Sequence, residues 1–310
     1  MEGPLVSLII PTQRRLDGLL TAARSTFRQT GVALSGLELV IVDNDQTDSA
    51  RATAAMLATE APFAVTYVHE PEPGVANARN AAMAQAKGDL IAFLDDDEEA
   101  PEGWLAALLA AMARDKADVV FGPVRGRAPQ GVVAHRDYLE RFFSREGPAR
   151  AGLLDHYYGC GCSLLRRAAL PDPVAPFSAI RNHIGGEDDL LFGQMQRRGA
   201  RFAWEPAAWV WEDPVPARLS LDYTIRRAFA YGQGPSAACA AATPPDYLGV
   251  AGWMAQGLVQ AVVFGALAGF KWLIRAPDFA FTLDRAARGL GKTLWWGPFK
   301  IHFYGLRAPA

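Results

Sequence analysis

The sequence predicts an α/β fold of the doubly wound (Rossmann-like) type, in which helices flank a mostly parallel sheet and a helical segment follows at the C-terminal end. Three observations lead to this prediction. Short apolar runs alternate with stretches of helical composition over the first 125 residues. Polar motifs follow several of these runs, and the chain becomes apolar and free of charge over residues 251–270.

The apolar runs have the length of strands and are apolar throughout, as in strands that are covered on both faces. They are residues 5–10, 37–42, 64–68, 90–94 and 118–121. The stretches with helical composition are residues 17–29, 48–59, 75–86 and 102–114. This alternation predicts a doubly wound sheet, and in such sheets ligands bind beyond the carboxyl ends of the strands.

Length and composition limit the function classes. A chain of 310 residues, half of them apolar, can form one large domain or a domain with an appendage. We predict one domain over residues 1–240, made of two halves (1–125 and 126–240), followed by a helical segment over 241–310. The formal net charge of −2 argues against nucleic acid as a partner.

The cysteines and the N-terminal residues favour a cytoplasmic protein. There are three cysteines, and Cys160 and Cys162 are separated by one residue, which does not fit a secreted disulfide framework or a structural zinc site. The first apolar run is short and lacks a basic start, so it is not expected to be a signal peptide.

Four polar motifs follow strand-like runs. They are Pro11-Thr12, Asp43-Asn44-Asp45, the segment from Glu70 to Gly74, and Asp95-Asp96-Asp97. One acidic strand end is commonplace, but several polar strand ends in succession indicate a single site built from separate loops.

The acidic triplet Asp95-Asp96-Asp97 is the strongest of these signals. Crowded carboxylates repel each other unless a cation neutralises them, and Mg²⁺ and Mn²⁺ prefer oxygen ligands while leaving positions open for phosphate. The triplet therefore predicts a divalent cation that holds a diphosphate. The alternative is a solvated acidic loop before the next helix.

A second acidic cluster, Glu187-Asp188-Asp189, opens a predicted helix after two glycines. A carboxylate at this position can take the proton of an attacking hydroxyl if it lies within hydrogen-bond reach. The alternative is that these acids only complement the dipole at the start of the helix.

In their order and spacing, these motifs resemble the family-2 inverting glycosyltransferases of the GT-A fold. The matching segments are residues 6–12 (VSLIIPT), 42–45 (VDND), 73–80 (PGVANARN), 93–97 (FLDDD), 186–188 (GED) and 197–199 (RRG). Within that family, residues 212–216 (EDPVP) and 226–229 (RRAF) are most similar to the bacterial exopolysaccharide-type enzymes.

The resemblance implies that residues 1–240 form the catalytic domain, with a nucleotide-binding half (1–125) and an acceptor half (126–240). It also implies a nucleotide-sugar donor, with UDP as the expected nucleotide. Pro11, Thr12 and Asp43 are implied to line the base pocket, the carboxylate of Asp43 matching the N3–H of uracil. Arg79 is implied to lie against the nucleotide, and Asp95 near its ribose.

The resemblance also implies the metal and the base. Asp97 is implied to be the chief protein ligand of a Mn²⁺ or Mg²⁺ ion, and Asp188 the general base in an inverting displacement. Asp96 and Glu187 are additional candidates. Many relatives have a histidine near residue 212 that reaches the metal; this chain has none there, and Glu212 is the candidate that could substitute for it.

The implied reaction adds one sugar to a hydroxyl of a glycan or a polyprenyl-linked acceptor in surface polysaccharide synthesis. Residues 194–198 (QMQRR) are not the Gln-x-x-Arg-Trp motif of processive synthases, which argues against polymerisation. A polyprenyl-phosphate sugar synthase and a nucleotide-binding scaffold without catalytic activity remain open. A sugar nucleotidyltransferase is disfavoured because no glycine-rich phosphate loop follows the first strand.

Residues 251–270 would be about 30 Å long as a helix, which is close to the thickness of a bilayer. Downstream, Arg285, Arg288 and Lys292 share a predicted helix that precedes Trp295-Trp296. Basic residues beside tryptophans are typical of a helix on an anionic membrane surface, here the inner face of the plasma membrane. A hairpin buried against the catalytic domain or in a homo-oligomer is the alternative.

Overall fold

The computed structural model describes residues 6–132, 134–182 and 185–301, apart from the side chain of Arg181. The chain divides into two compact units. The first consists of Met1–Arg127 with Phe143–Asp213, and the second of Ala128–Phe142 with Pro214–Ala310.

The strands belong to the first unit. In chain order they are β1 (Val6–Thr12), β2 (Leu37–Asp43), β3 (Ala64–His69), β4 (Leu90–Phe93), β5 (Glu98–Glu99), β6 (Val119–Phe121), β7 (Val124–Gly126), β8 (Gly152–Leu154), β9 (Ser163–Arg166), β10 (Phe202–Trp204) and β11 (Val210–Glu212).

The α-helices are distributed over both units. In chain order they are α1 (Leu16–Phe27), α2 (Arg51–Glu60), α3 (Val75–Gln85), α4 (Trp104–Asp115), α5 (Arg136–Phe143), α6 (Glu187–Arg197), α7 (Leu221–Ala241), α8 (Tyr247–Leu273) and α9 (Phe279–Thr293). Short 3₁₀ turns are Leu34–Gly36, Arg167–Ala169, Ala179–Arg181, Pro216–Arg218 and Gly297–Phe299.

Among the described residues, one sheet has eight strands in the order β3-β2-β1-β4-β9-β6-β10-β8, and a second sheet has the order β5-β11-β7. Strands β3, β2, β1 and β4 are parallel to one another. Strand β9 then pairs antiparallel with both β4 and β6. The predicted α/β fold with a mostly parallel sheet is confirmed, and the strand-like runs all form strands.

Both faces of the large sheet are buried. Successive side chains of a strand point to opposite faces, so neighbouring residues of β1 lie in different clusters. Leu8 and Ile10 lie in one hydrophobic cluster with residues of α1, α2 and α4. Ile9 lies in the other cluster, with residues of α3 and α6. This two-sided burial explains why the strands are apolar throughout rather than alternating.

The second unit is built from helices, among which α9 packs against both α7 and α8. Helix α8 is long and apolar enough to cross a membrane, with a mean hydropathy of 1.5 over its most apolar window and only 6% of that window buried. The predicted helices over 251–270 and around Arg285 are therefore present.

The predicted domain boundary at residue 240 differs from the division by contacts. All but the last residue of helix α7 lies before that boundary in sequence, yet the helix packs with α8 and α9 in the second unit. The helix is anchored by Gln233, whose side-chain amide donates to the carbonyl of Leu294 at 2.8 Å. Which part of the chain is sufficient for catalysis stays a prediction.

Candidate active site

The site lies at the carboxyl edge of the parallel strands. Thr12, at the end of β1, is in register with Asp43, at the end of β2. The backbone N–H of Leu94, directly after β4, donates to the carbonyl of Ile9 at 3.1 Å. The polar residues that follow these strands consequently come together, as the sequence predicted.

The Asp43–Asp45 loop is held by hydrogen bonds to the buried carboxylate of Asp43. Asp43 is fully buried, and its carboxylate accepts hydrogen bonds from the N–H of Ala50 at 2.6 Å and from the hydroxyl of Tyr67 at 3.1 Å. The N–H of Asp45 donates to the same carboxylate at 3.2 Å. In this conformation Asp43 shapes the loop and offers no exposed carboxylate oxygen to a base, so its contact with a uracil ring stays a prediction.

Asp96 is fixed by hydrogen bonds from the side chains of Thr12 and Arg15. Its Oδ2 accepts a 2.8 Å hydrogen bond from the Thr12 hydroxyl, and its Oδ1 accepts one of 2.8 Å from Nη1 of Arg15. The same nitrogen of Arg15 donates to Oδ2 of Asp97 at 2.7 Å. Thr12 therefore contacts the acidic triplet rather than facing outward, while Pro11 beside it is half-buried.

Asp95 is the most accessible carboxylate of the triplet, with 35% of its side chain exposed. Glu98 lies next to it and accepts a 2.9 Å hydrogen bond from the N–H of Asp95. The backbone of Gly161 packs against both groups, so that a Cβ atom at this position would lie 2.7 Å from Oδ2 of Asp95. A side chain at this position would require the segment or the two carboxylates to move.

Arg79 joins the two acidic clusters. It is 5% exposed, and its Nη1 donates to Oε1 of Glu187 at 2.6 Å while its Nη2 lies 3.6 Å from Asp95. The guanidinium also lies over the rings of Phe93 and Phe177. Arg79 is thus buried between the triplet and the start of α6, and the structure shows no exposed face of it for a nucleotide.

Asp188 contacts the Gly159–Gly161 segment, which also packs against Asp95. Its Oδ2 accepts a 3.1 Å hydrogen bond from the N–H of Cys160, and its Oδ1 accepts one of 2.9 Å from the N–H of Asp189. Because Cys160 precedes Gly161, which contacts Asp95, the triplet and Asp188 border one segment. The structure therefore brings the two predicted acidic clusters together.

Glu212 also lies close to the acidic triplet. It lies in β11 directly opposite Glu98 of β5. The next residue, Asp213, donates its backbone N–H to the carbonyl of Asp97 at 2.7 Å. The strand pair therefore holds Glu212 close to the acidic triplet, in the region where the sequence suggested an auxiliary ligand.

The crowding of carboxylates changes their protonation. Burial raises the pKa of Asp96 to about 6, against the opposing effects of Arg15 and Thr12. Loss of hydration also raises the pKa of Asp95, which Arg79 lowers and Asp97 raises. Burial raises the pKa of Glu187 as well. A cluster with these properties gains stability from an additional cation.

The chemistry of the donor set fits a divalent cation of the Mg²⁺ or Mn²⁺ type. Within the described residues, no group of three or more His, Cys, Asp or Glu side chains could hold a metal. Such ions are commonly bound by one or two carboxylates, with phosphate oxygens and water completing the shell. Asp96 and Asp97 already hold one cationic group between them, the guanidinium of Arg15, and are therefore spaced to share a positive charge.

Two arginines that sequence reasoning did not select contribute to the site. Arg15 lies three residues after Thr12, in the loop that follows β1, so its position beyond a strand end was a usable signal. Arg145 donates to the carbonyl oxygens of Gly159 at 2.9 Å and Gly161 at 2.5 Å, and so braces the segment that separates Asp95 from Asp188. No sequence pattern predicts the contact of Arg145 with these backbone carbonyl groups.

The family model described as glycosyl transferase family 2 matches residues 7–172. The succinoglycan biosynthesis protein ExoM of Rhizobium meliloti is 39% identical over 199 residues, which cover 64% of this chain and 63% of ExoM. The pre-mycofactocin glycosyltransferase of Mycobacterium tuberculosis is 30% identical over 251 residues, covering 78% of this chain and 48% of that protein. The chain thus spans about half to two thirds of the length of these relatives.

Solved structures share the fold. The mannosyltransferase PcManGT from Pyrobaculum calidifontis, in complex with GDP-Man and Mn²⁺, has a TM-score of 0.60 at 21% identity, over 95% of this chain and 88% of that one. TarS 1-349 from S. aureus, in complex with UDP, has a TM-score of 0.52 at 17% identity, over 71% of this chain and 63% of that one. These similarities confirm the GT-A fold.

Proposed function

The chain belongs to glycosyl transferase family 2, and from this premise we propose that it moves one sugar from a nucleotide diphosphate donor to a hydroxyl of a glycan or lipid-linked acceptor. The expected donor is a UDP-sugar, and the expected process is the synthesis of a surface polysaccharide. The observation that carries the proposal is the convergence of the acidic triplet and Asp188 on the Gly159–Gly161 segment.

In this proposal the donor occupies the carboxyl edge of β1, β2 and β4. Pro11, Thr12 and Asp43 border the nucleotide side, and the exposed part of Asp95 faces the ribose. The relative positions of these strand ends support the assignment, because β1 is hydrogen-bonded to both neighbours. Since Arg79 is buried, its part is to hold Asp95 and Glu187 in place from behind rather than to bind the nucleotide itself.

Asp97, with Asp96 beside it, would hold the divalent cation. Such an ion supplies Lewis acidity, since it neutralises the diphosphate and the negative charge that develops on the departing nucleotide. Asp97 suits this position because its backbone is fixed by Asp213 while its side chain reaches the space that it shares with Arg15. Glu212 is the nearest further carboxylate of that loop.

Asp188 would act as the general base. Two backbone N–H groups orient its carboxylate, and its remaining lone pairs are available to an acceptor hydroxyl. The hydroxyl proton passes to Asp188 while the oxygen bonds to the anomeric carbon. The bond from that carbon to the diphosphate breaks, and the nucleoside diphosphate leaves with the electron pair. One such displacement inverts the anomeric configuration.

The second unit would associate with the cytoplasmic face of an anionic membrane. The face of α8 that includes Gly257 and Ala268 is buried, whereas its other face is exposed, apolar and free of charge. The exposed side chains are those of Leu258, Val259, Val262, Val263, Leu267 and Phe270. An exposed apolar band of this length is typical of a membrane-binding helix.

The contacts of α9 favour a helix that lies on the membrane over one that crosses it. Lys292 lies 5.3 Å over the ring of Trp253 and donates to Gln260 at 2.8 Å, and Arg285 lies 5.3 Å over the ring of Phe264. These cations therefore flank the middle of α8. Carrying each into the centre of a bilayer would cost about 2.5–3.5 kcal/mol on insertion scales.

The rival function is a polyprenyl-phosphate sugar synthase, in which the acceptor oxygen belongs to a phosphate. That acceptor needs no general base, because a phosphate oxygen is already ionised at neutral pH. A hydroxyl acceptor does need a base, and Asp188, oriented by two backbone N–H groups, is placed to serve as one.

A panel of UDP- and GDP-sugars tests the proposal most broadly. The full chain is incubated with each donor and Mn²⁺, and release of the nucleoside diphosphate is measured with and without EDTA. We expect release from one donor class, and its loss in EDTA. Nucleotide binding without release from any donor would leave the nucleotide-binding scaffold, and absence of both would contradict the proposal and the scaffold alike. Addition of polyprenyl phosphate in a parallel series separates the rival, because product would then form on the lipid phosphate.

A further inference from the structure

Arg15 occupies an unusual position for a surface arginine. One nitrogen of its guanidinium, Nη1, donates to Asp96 at 2.8 Å and to Asp97 at 2.7 Å. Only 21% of its side chain is exposed. Its charge therefore lies between the two carboxylates that would hold the divalent cation.

The position of Arg15 is imposed by the backbone and is not a chance contact of a long side chain. Arg15 immediately precedes α1, and the first turn of that helix packs on the backbone of Asp96. A Cβ atom at Gly18 would lie 2.2 Å from the carbonyl oxygen of Asp96, so glycine is required for this approach. Thr12 fixes the other oxygen of Asp96 at 2.8 Å.

From this geometry we propose that Arg15 is the internal counter-ion of the acidic triplet, and that it gives way to the divalent cation only when a nucleotide diphosphate binds. The inference rests on the proposed function. An arginine cannot lose its proton in a protein, so a metal ion that takes the same carboxylate oxygens must displace the guanidinium as a charged group.

A nucleotide diphosphate makes that displacement favourable. Guanidinium groups pair strongly with phosphate oxygens, so the arriving diphosphate offers Arg15 a new partner at the moment when the metal takes its old ones. Metal and nucleotide binding are then coupled, and each strengthens the other by the same factor. Without nucleotide, the metal competes against an ion pair that is already formed.

The test measures Mn²⁺ binding to the full chain by the electron paramagnetic resonance signal of the free ion. Titrations are run without nucleotide, with UDP and, in parallel, with GDP. For the wild-type protein we expect weak binding of Mn²⁺ alone and an affinity at least about tenfold higher with one of the nucleotides. For Arg15→Ala we expect Mn²⁺ alone to bind at least about tenfold more tightly than to the wild type, and the effect of nucleotide to shrink.

Two further variants sharpen the result. Arg15→Lys retains the positive charge and should keep the weak binding of Mn²⁺ alone. Arg24→Ala removes an exposed arginine of helix α1 that is paired with Glu60, and it should behave as the wild type. Thermal unfolding of each variant checks that it is folded.

The outcomes separate this inference from the proposed function. If the wild type shows nucleotide-dependent Mn²⁺ binding but Arg15→Ala binds Mn²⁺ alone no better, the role of Arg15 is overturned while the transferase function stands. If the wild type binds neither Mn²⁺ nor nucleotide in any combination, both are overturned.

Discussion

The guanidinium of Arg79 donates a 2.6 Å hydrogen bond to the carboxylate of Glu187, a residue 108 positions away in the sequence. Both side chains are buried. Arg79 also lies 3.6 Å from Asp95, so a single cation stands between the strand end that carries the acidic triplet and the helix that carries Asp188. The relative position of the two acidic clusters depends on this contact.

Replacement of Arg79 should therefore destabilise the whole first unit. Arg79→Ala leaves Glu187 buried without its partner, and loss of one member of a buried pair costs about 3–5 kcal/mol of the free energy of unfolding. Urea denaturation followed by circular dichroism measures the change. Arg24→Ala, which breaks an exposed pair with Glu60, is the matched control and should change stability little. Equal effects of the two substitutions would show that the buried pair contributes no more to the free energy of unfolding than the exposed pair does.

Gly161→Ala should impair transfer strongly. The new Cβ would lie 2.7 Å from Asp95 and 2.9 Å from Glu98, so the segment or the carboxylates must move. A displacement of about 1 Å in an active site can lower the rate about a hundredfold. Gly131→Ala is the control, because no atom lies within 4 Å of a Cβ at that position. Wild-type kcat/KM in Gly161→Ala would contradict the placement of Asp95 in the site.

The titration of Asp96 should be visible in the stability of the protein. Its pKa in the folded state, about 6, lies above the ordinary value of 3.8, so the folded state binds this proton more tightly than the unfolded state does. The resulting stabilisation is complete below pH 4 and is lost as the pH rises to about 6. The difference corresponds to about 3 kcal/mol.

Comparison with Asp96→Asn isolates this contribution, because asparagine does not titrate. The free energy of unfolding is measured in EDTA between pH 4 and pH 7. Relative to the variant, the wild type should lose stability across that interval. A difference that stays constant with pH, or that grows in favour of the wild type, would show that folding does not raise the pKa of Asp96.

Charge placed on the exposed face of α8 should abolish membrane binding. Val259 is 64% exposed on that face, and Val259→Glu would bring a carboxylate against the lipid. Val174 is 53% exposed in the first unit, and Val174→Glu is the control. Co-sedimentation with vesicles that contain phosphatidylglycerol should fall for Val259→Glu alone. Equal binding of both variants would show that another surface carries the association.

Much of the fold could be predicted because local sequence patterns indicate its strands and helices. The strands that are buried on both faces, such as β1 and β2, are continuous apolar runs, and the four stretches predicted as helical between them match α1 to α4 to within three residues. Strand β9 was not predicted, because its four residues follow an irregular glycine-rich segment and pair only with distant strands. The assignment of α7 to the second unit likewise depends on contacts with α8 and α9.

The site was predictable where it consists of residues at strand ends, and less so where it consists of long-range partners. The acidic triplet and Asp188 follow from motifs in order. The burial of Asp43 and Arg79 does not, since it depends on which donors and acceptors the fold places around them. The bracing by Arg145 depends on carbonyl groups that any sequence could supply.

The central claim is that Asp188 takes the proton of an acceptor hydroxyl beside a donor held by the acidic triplet. Asp188→Asn tests it most directly, once a donor and an acceptor are in hand, with Asp189→Asn as the control on the same turn of α6. Transfer under single-turnover conditions and the dissociation constant of the nucleotide are measured for both. We expect Asp188→Asn to lower the transfer rate by about 10²–10⁴-fold while nucleotide binding stays near the wild-type value. An unchanged transfer rate in Asp188→Asn would contradict the account.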